Sequence, residues 1–470
     1  MTESVRASVA LRAFFITFAG MTINDETIGF IRAHRLDDVR ALALRHGQSR
    51  MAHGADGGID LQFALEQIVG WQTARKKIPT WADTEGVVYP PHLNMEQCSS
   101  EATARYKAAL VSRLLAESCA CEACDVVAAA ESRGGGQDAI AADARRLPAA
   151  TLVDLTGGFG VDFSFMSRTF GHAVYVERNE RLCAIAQCNF GALGIDNAEV
   201  VCGDGVEYLR AMGKGVTEAP CVIFVDPARR DANGRKVFGI GDCVPDVLSI
   251  KDELLSKSAC VVIKLSPMLD WHAAAKAFGD SCREVHIVSV ANECKELLLV
   301  LGGSPISPDG GVGDGSAKLY CVNDNQVFAV DAAGSPNAGH GCGGCYGKLP
   351  AVPRFLFVPN ASVMKAGCFA EVAVAFGMSM LDANSHLFVS DNEVDGFPGR
   401  RFRIIATTTM NKRELKSKLA NISQANISVR NFPLSAVELR KRLKLKDGGD
   451  IHLFATTCSG RHVIMITSCG

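Results

Sequence analysis

From Val153 to Asp162 the chain reads VDLTGGFGVD. The apolar run that opens it predicts a buried strand ending on an acid. Gly157, Gly158 and Gly160 then make a tight turn into a helix. Glycines let the backbone approach a ligand, and a helix start offers free N–H groups. The spacing is not the GxGxxG of a dinucleotide fingerprint, and a strand–helix turn holding no ligand explains the stretch taken alone. The sequence after it decides the matter. AVYVERN, AEVVCGD, CVIFVDP, CVVIKLS and EVHIVSV are further short β-branched runs, with helical patterns between most of them. Strands alternating with helices predict a parallel sheet covered on both faces. ELLLVLG follows the sixth run after only the loop ANECK. That loop is too short for a helical crossover, so the last strand is predicted antiparallel.

Four strand ends in succession carry Asp154, Glu177, Asp204 and Asp226. Ligands of open α/β sheets bind at the carboxyl ends of strands. Glu177 lies 19 residues after Gly158, where a carboxylate accepts hydrogen bonds from ribose hydroxyls. Asp204, in CGDG, is placed for an adenine amino group. Each acid alone is accounted for by a helix N-cap; the four in this order point to a nucleoside-bearing ligand.

The chain has 470 residues, 48% hydrophobic and 21% charged, ordinary values for several packed domains. Whole-chain disorder is excluded, and 45 glycines without a Gly-X-Y period exclude collagen. The 18 cysteines are scattered through apolar stretches, which predicts reduced thiols in a cytoplasmic protein rather than a disulfide framework. Cys121-x-x-Cys124 and Cys342-x-x-Cys345 sit far apart in Gly/Ala-rich stretches and are read as incidental thiols, so no metal is expected. No apolar run reaches the ~18 residues that span a bilayer, and Arg12 breaks the apolar segment from Ala7 to Met21. No membrane partner is expected, and Met21 stands as an alternative start. From Arg400 to Gly470 there are 14 Lys/Arg and 4 Asp/Glu, a net of +10, while the whole chain carries −2. A basic module is thus attached to an acidic body.

The predicted organisation is a mostly helical N-terminal region (1–117), an insertion or linker (118–148), the α/β domain (149–302), a Gly-rich insertion with a short strand pair (303–350), a compact piece (351–399) and the basic α+β module (400–470). Ser99-Ser100-Glu101 opens the helix ATARYKAALVSRLLAE with a serine as N-cap.

DLTGGFG, the acid at Glu177, the GD at 203–204, DPARR at 226–230 and the final antiparallel strand are similar to class I methyltransferases that use S-adenosyl-L-methionine (AdoMet). EQCSSEATARYKA, DLTGGFGVD, VDPARRD, KLSPMLD, PNASVMKAG, NSHLF, FPGRRF, RNFPLSAVELRKRLKLKDGGD and LFATT more closely resemble a bacterial methyltransferase group with a ferredoxin-like piece and a THUMP-like C-terminal domain. The resemblance covers most of residues 22 to 470, with departures at 118–148 and 303–350. It implies a Rossmann-like α/β fold with a seven-stranded sheet and AdoMet over its carboxyl edge. Gly157, Gly158 and Gly160 would flank the methionine part, Glu177 the ribose and Asp204 the adenine. Asp154, Thr156, Arg178, Gly205 and Asp226 complete the implied cofactor set. Gln97, Ser99 and Ser100 line that pocket by analogy, though helix capping explains the serines equally well. The THUMP-like resemblance implies RNA as partner, tRNA before rRNA, through Arg400, Arg401, Arg440, Lys441, Arg442, Lys444 and Lys446.

Asp226, Pro227 and Arg229 are the expected catalytic residues. Amino-group methyltransferases often have Asp/Asn-Pro-Pro-aromatic here; Ala228 and Arg229 depart from that, which disfavours adenine N6. Carbon-5 methylation of pyrimidines needs a Cys nucleophile, and neither DPARRDANG nor KLSPMLDW contains one. A base nitrogen remains the expected acceptor. Arg230, Lys264 and Ser266 are expected to meet the substrate, although both arginines could instead pair with local acids such as Asp231. Trp271 is read either as a stacking platform or as core. Competing readings are a non-catalytic RNA-binding protein on an AdoMet fold, and a methyltransferase for a protein or small molecule.

Overall fold

Strand β1 (Leu147–Asp154) ends on Asp154 and passes through the glycine turn into the helix Val161–Met166. The computed structural model describes residues 24–47, 58–118, 147–213, 220–228, 240–302, 317–331 and 354–469. These fall into two units, within Met1–Cys282 with Leu298–Gly311, and within Arg283–Leu297 with Val312–Gly470.

In the first unit, β2 (Phe170–Glu177), β3 (Ala198–Cys202), β4 (Cys221–Val225) and β5 (Cys260–Leu265) join β1 in the order β3-β2-β1-β4-β5. Every pairing is parallel, as the alternating pattern predicts. The order reverses between β1 and β4, and that switch point is where ligands enter open sheets. The helices of residues 24–118 are not a separate body. Trp81, Tyr89, Met95 and Ala104 share one core with Phe159 of the glycine turn and with Val161, Phe165, Leu182 and Ile185 from the helices that follow β1 and β2. Asn189 fastens this packing by bonding both the N–H and the carbonyl of Val88, at 2.7 and 2.9 Å. Ser100 caps the helix Glu101–Ser118 through the N–H of Thr103 (3.3 Å), as expected. Lys257 caps the far end of the helix Gly205–Ala211, donating to the carbonyls of Leu209, Arg210 and Met212 at 2.5, 3.0 and 2.7 Å.

β6 (Cys282–Val290) turns into β7 (Glu293–Gly302) through Ala291 and Asn292, the turn belonging to the second unit and Leu298–Gly302 to the first. Both turn residues are left-handed, φ +50° and +61°, the geometry of a two-residue antiparallel hairpin. The short ANECK loop therefore does what its length demands. β8 (Lys318–Asn323) runs parallel to β6, and β9 (Gln326–Asp331) returns antiparallel; this is the strand pair expected within 303–350. β10 (Phe355–Pro359), β11 (Ser379–Met380), β12 (Phe388–Ser390), β13 (Gly399–Thr409), β14 (Asn426–Arg430), β15 (Ile451–Cys458) and β16 (Arg461–Cys469) form one sheet in the order β11-β12-β10-β13-β16-β15-β14. Leu356, Phe402, Phe454 and Met465 fill one face. Ile427, Leu453, Ile464 and Ile466 fill the other, with Leu415 and Leu439 of the helices Lys412–Lys418 and Ala436–Leu443. The predicted boundary at 399/400 falls at the first residue of β13. That strand pairs with β10 from Phe355↔Arg403 to Pro359↔Gly399, so a continuous sheet runs through both pieces. Cutting the chain at residue 400 would strip β10 of this neighbour, so truncation is a poor test of what the basic module does.

Candidate active site

Asp154 is 1% exposed and accepts from the Thr156 N–H at 2.9 Å. Burial raises its pKa; the Thr156 N–H works against this, and the charges of Asp162, Asp226 and Glu177 add to it, leaving it at about 8. Asp154 thus braces the turn through the Thr156 N–H. Its raised pKa has a sign that can be tested. The unfolded carboxyl titrates near 4, so the preference for the protonated folded form is fully present below that pH. It is lost as pH rises through about 8. The protein should lose about 3 kcal/mol of stability between pH 6 and pH 9. Asp154→Asn, which keeps the acceptor oxygen without the charge, should lose clearly less, as read by denaturant melts at the two pH values.

Thr156 carries the brace across the sheet. Its hydroxyl accepts the Asp226 N–H at 2.6 Å, so the turn after β1 and the end of β4 are tied together. The glycines have separate reasons to be glycine. Gly158 and Gly160 take φ of +57° and +84°, which only glycine adopts freely. At Gly157 an added Cβ would enter the ring of Tyr175, which is fully buried. Gly157→Ala should therefore displace the turn and weaken cofactor affinity at least about tenfold by titration calorimetry, the scale of a 1.4 kcal/mol loss.

Glu177 accepts the Gly158 N–H at 2.9 Å and the Asn179 N–H at 2.8 Å, one on each oxygen. The Tyr175 hydroxyl bonds the Gly158 carbonyl. Asp204 caps the helix Gly205–Ala211, accepting from Val206 and Glu207 at 2.8 and 3.1 Å, with Arg178 3.6 Å from its other oxygen. A Cβ on Gly205 would strike the Leu155 carbonyl. The expected cofactor residues thus converge on one edge, Asp154 and Gly205 serving as supports.

The acid after β4 has an unforeseen setting. Lys264, on β5, places its Nζ 2.7 Å from Asp226 Oδ2, 3.3 Å from Asp162 Oδ2 and 3.0 Å from Ser99 Oγ. Ser99 donates to Asp162 at 2.7 Å. Lys107, entirely buried, lies 3.2 Å from Asp162 Oδ1. Two ammonium groups thus face two carboxylates. Burial alone would raise the Asp162 pKa, but Lys107, Lys264 and the Ser99 hydroxyl hold it below its ordinary value. Lys264, expected to contact substrate, is held by Asp226. Ser99, weighed as a cap or pocket residue, is a member of the same knot. Asp162 and Lys107 were not anticipated. Lys107 had a signal: it shares the buried stripe of its helix with Ala104, Leu110, Val111 and Leu114, and a lysine on an apolar stripe needs a buried partner.

Pro227 follows Asp226, and Ala228 is pinned by paired backbone bonds to Val244 of 2.8 and 3.0 Å. Arg229 and Arg230 lie outside the described residues, as do the Cys121/Cys124 and Cys342/Cys345 pairs. Ser266 is buried and accepts the Met268 N–H at 3.2 Å, shaping the loop after β5. Trp271 is 3% exposed; of its two readings the structure supports core. In the second unit, Arg401 pairs with Glu393 and Asp395 at 2.5 and 3.6 Å, and Arg440 pairs with Asp447. Arg400, Lys441, Arg442, Lys444 and Lys446 are exposed. Among the described residues no helix is long and apolar enough to cross a membrane, and no cluster of three or more His, Cys, Asp or Glu is placed to hold a metal.

Comparison with known proteins agrees with this architecture. Residues 399–468 match the THUMP domain-like model and residues 355–398 a ferredoxin-like domain model. No curated protein matches the sequence significantly. The crystal structure of a candidate methyltransferase from Porphyromonas gingivalis W83 is similar over 95% of this chain and 99% of its own, at 26% identity and a TM-score of 0.72. Partial similarities include an rRNA methylase from Streptococcus thermophilus (14% identity, TM-score 0.24, 33% of this chain and 87% of that one). Another is an O-methyltransferase from Bacillus cereus in complex with SAH (11% identity, TM-score 0.31, 52% and 99%).

Proposed function

We propose that this chain, a class I AdoMet-dependent methyltransferase by its fold, with ferredoxin-like and THUMP-like domains, methylates RNA at a base nitrogen. The observation that carries the reading is the 2.6 Å bond from the Asp226 N–H to Thr156. It joins the turn suited to the cofactor and the acid suited to the acceptor, so both positions are set in one frame. tRNA is the first substrate to test and rRNA the second.

The residues fit AdoMet. Each Glu177 oxygen holds one backbone N–H and keeps a second lone pair for a ribose hydroxyl. Gly158 and Gly160 bring bare backbone to the edge, and Asp204 stands at the end of β3 for the adenine. AdoMet supplies a methyl group on a sulfonium. The protein's part is positioning, which can provide most of the acceleration in such a transfer. Asp226 accepts the N–H of the acceptor and turns its lone pair toward the methyl position. Lys264 fixes the Asp226 carboxylate from the other side, and Asp162 and Ser99 fix Lys264. The absence of cysteine from the DPARRDANG and KLSPMLDW loops supports nitrogen over carbon-5 as the acceptor.

RNA binding by the full chain tests the substrate class. Affinity for unmodified tRNA and rRNA transcripts should fall steeply between 50 and 200 mM salt, as it does when several phosphates are neutralised. A flat salt dependence, or no binding, would turn the reading toward a protein or small-molecule acceptor.

A further inference from the structure

Arg400 and Arg401 are adjacent on β13, yet they have opposite surroundings. Arg401 is taken up by Glu393 and Asp395, which latch the preceding loop onto the strand. Arg400 is exposed, its guanidinium lies 5.6 Å over the Phe402 ring, and no ion pair to it is found among the described residues. It opens onto a cleft of about 690 Å³ that Asp395, Gly399, Arg401, Phe402, Asn426 and His452 also line. Asp395 is the one acid there, and Arg401 occupies it at 3.6 Å.

The walls mix apolar surface with a few placed polar groups. His452 stacks on Phe454 at 4.5 Å and meets the Phe402 ring edge-on at 5.2 Å. Its Nε2 lies 2.9 Å from the Ser428 hydroxyl. The Asn426 amide is oriented by donating to the Gly449 carbonyl at 2.8 Å, so its oxygen can accept from a ligand. A guanidinium not engaged by an acid suits a phosphate. A fixed amide oxygen and an imidazole suit the polar edge of a base, and the volume matches a small-ligand site. It is too small to admit a duplex.

We infer that this cleft holds one unpaired nucleotide of the RNA, its phosphate on Arg400 and its base edge toward Asn426 and His452. The inference rests on the proposed RNA substrate. Both arginines line the cleft, but Arg401 is taken up by Glu393 and Asp395, so Arg400 is the ligand contact and Arg401 a structural latch.

The test measures binding of a fluorescein-labelled five-nucleotide RNA to the full chain by anisotropy. A blunt RNA duplex competes, and AdoMet affinity is recorded for each variant as a folding control. Arg400→Ala should weaken the oligonucleotide at least about tenfold and reduce the salt slope by about 0.7, the single-strand value for one phosphate. Arg400→Lys should recover part of the affinity. Lys441→Ala should change it less, and the duplex should compete poorly. If Arg400→Ala binds the oligonucleotide as tightly as the wild type, or the duplex competes equally, the cleft is not the site, although RNA can still be the substrate. If the wild type binds no RNA of either kind, the cleft and the RNA reading fall together.

Discussion

Asp226→Ala is expected to lower methyl transfer by about 10²-fold or more while leaving AdoMet affinity within a few-fold of wild type. The size follows from the role: a residue that orients the acceptor acts through geometry, and a displacement of about 1 Å can cost 10² in rate. The selectivity follows from the construction. The Thr156 link uses the Asp226 backbone N–H, which alanine retains, so the glycine turn and Glu177 stay in place. Lys264 loses one partner but keeps Asp162 and Ser99. Asp226→Asn should fall between the two, because it keeps an oxygen for Lys264 and loses the carboxylate. Single-turnover transfer and calorimetric AdoMet binding separate the effects. An equal loss of both would make Asp226 a cofactor ligand and not the acceptor's holder.

The largest effect on stability is expected at Asp162. Its side chain is buried between Lys107 at 3.2 Å and Lys264 at 3.3 Å. Asp162→Ala removes the carboxylate 3.2 Å from the wholly buried Lys107 ammonium, which keeps the Ser99 hydroxyl at 3.4 Å. Removing one partner of a buried pair costs about 3–5 kcal/mol. The loss should appear in urea unfolding at pH 7. Lys107→Met should recover a good part of it in the double variant, since an apolar side chain of similar length needs no counter-charge there. The two single changes and the double close a cycle that measures the coupling. Asp162 also has a depressed pKa, so its contribution is present above the unfolded value near 4 and is lost as pH falls below it. A single-variant loss under about 1 kcal/mol would show that the knot is not a structural element.

The sheet was legible because its strands are short β-branched runs with turn signals between them, and because ANECK is too short for a crossover. The strand-end acids were legible because the parallel topology puts every carboxyl end on one edge. Contacts between distant parts of the chain were not. The pairing of Lys264 with Asp162 spans 102 residues, and no local pattern specifies it; only the lysine on an apolar helix stripe gave a hint. The shared sheet of β10 and β13 was hidden for the same reason, since strand pairing depends on register across the sheet and not on neighbouring residues. The charge count identified a basic module. It could not tell Arg400 from Arg401, because the acids that occupy Arg401 sit in the preceding loop and are recognised only when the chain is folded.

Transfer of labelled methyl from AdoMet to unmodified tRNA and rRNA transcripts, with Asp226→Ala beside the wild type, tests the central claim most directly. Unmodified transcripts matter because RNA from the native cell can already carry the methyl group. The account predicts label on one RNA class, at a base nitrogen, and its loss in the variant. No label on any RNA from a preparation that binds AdoMet would contradict it and point to another acceptor, or to a binding protein built on a methyltransferase fold.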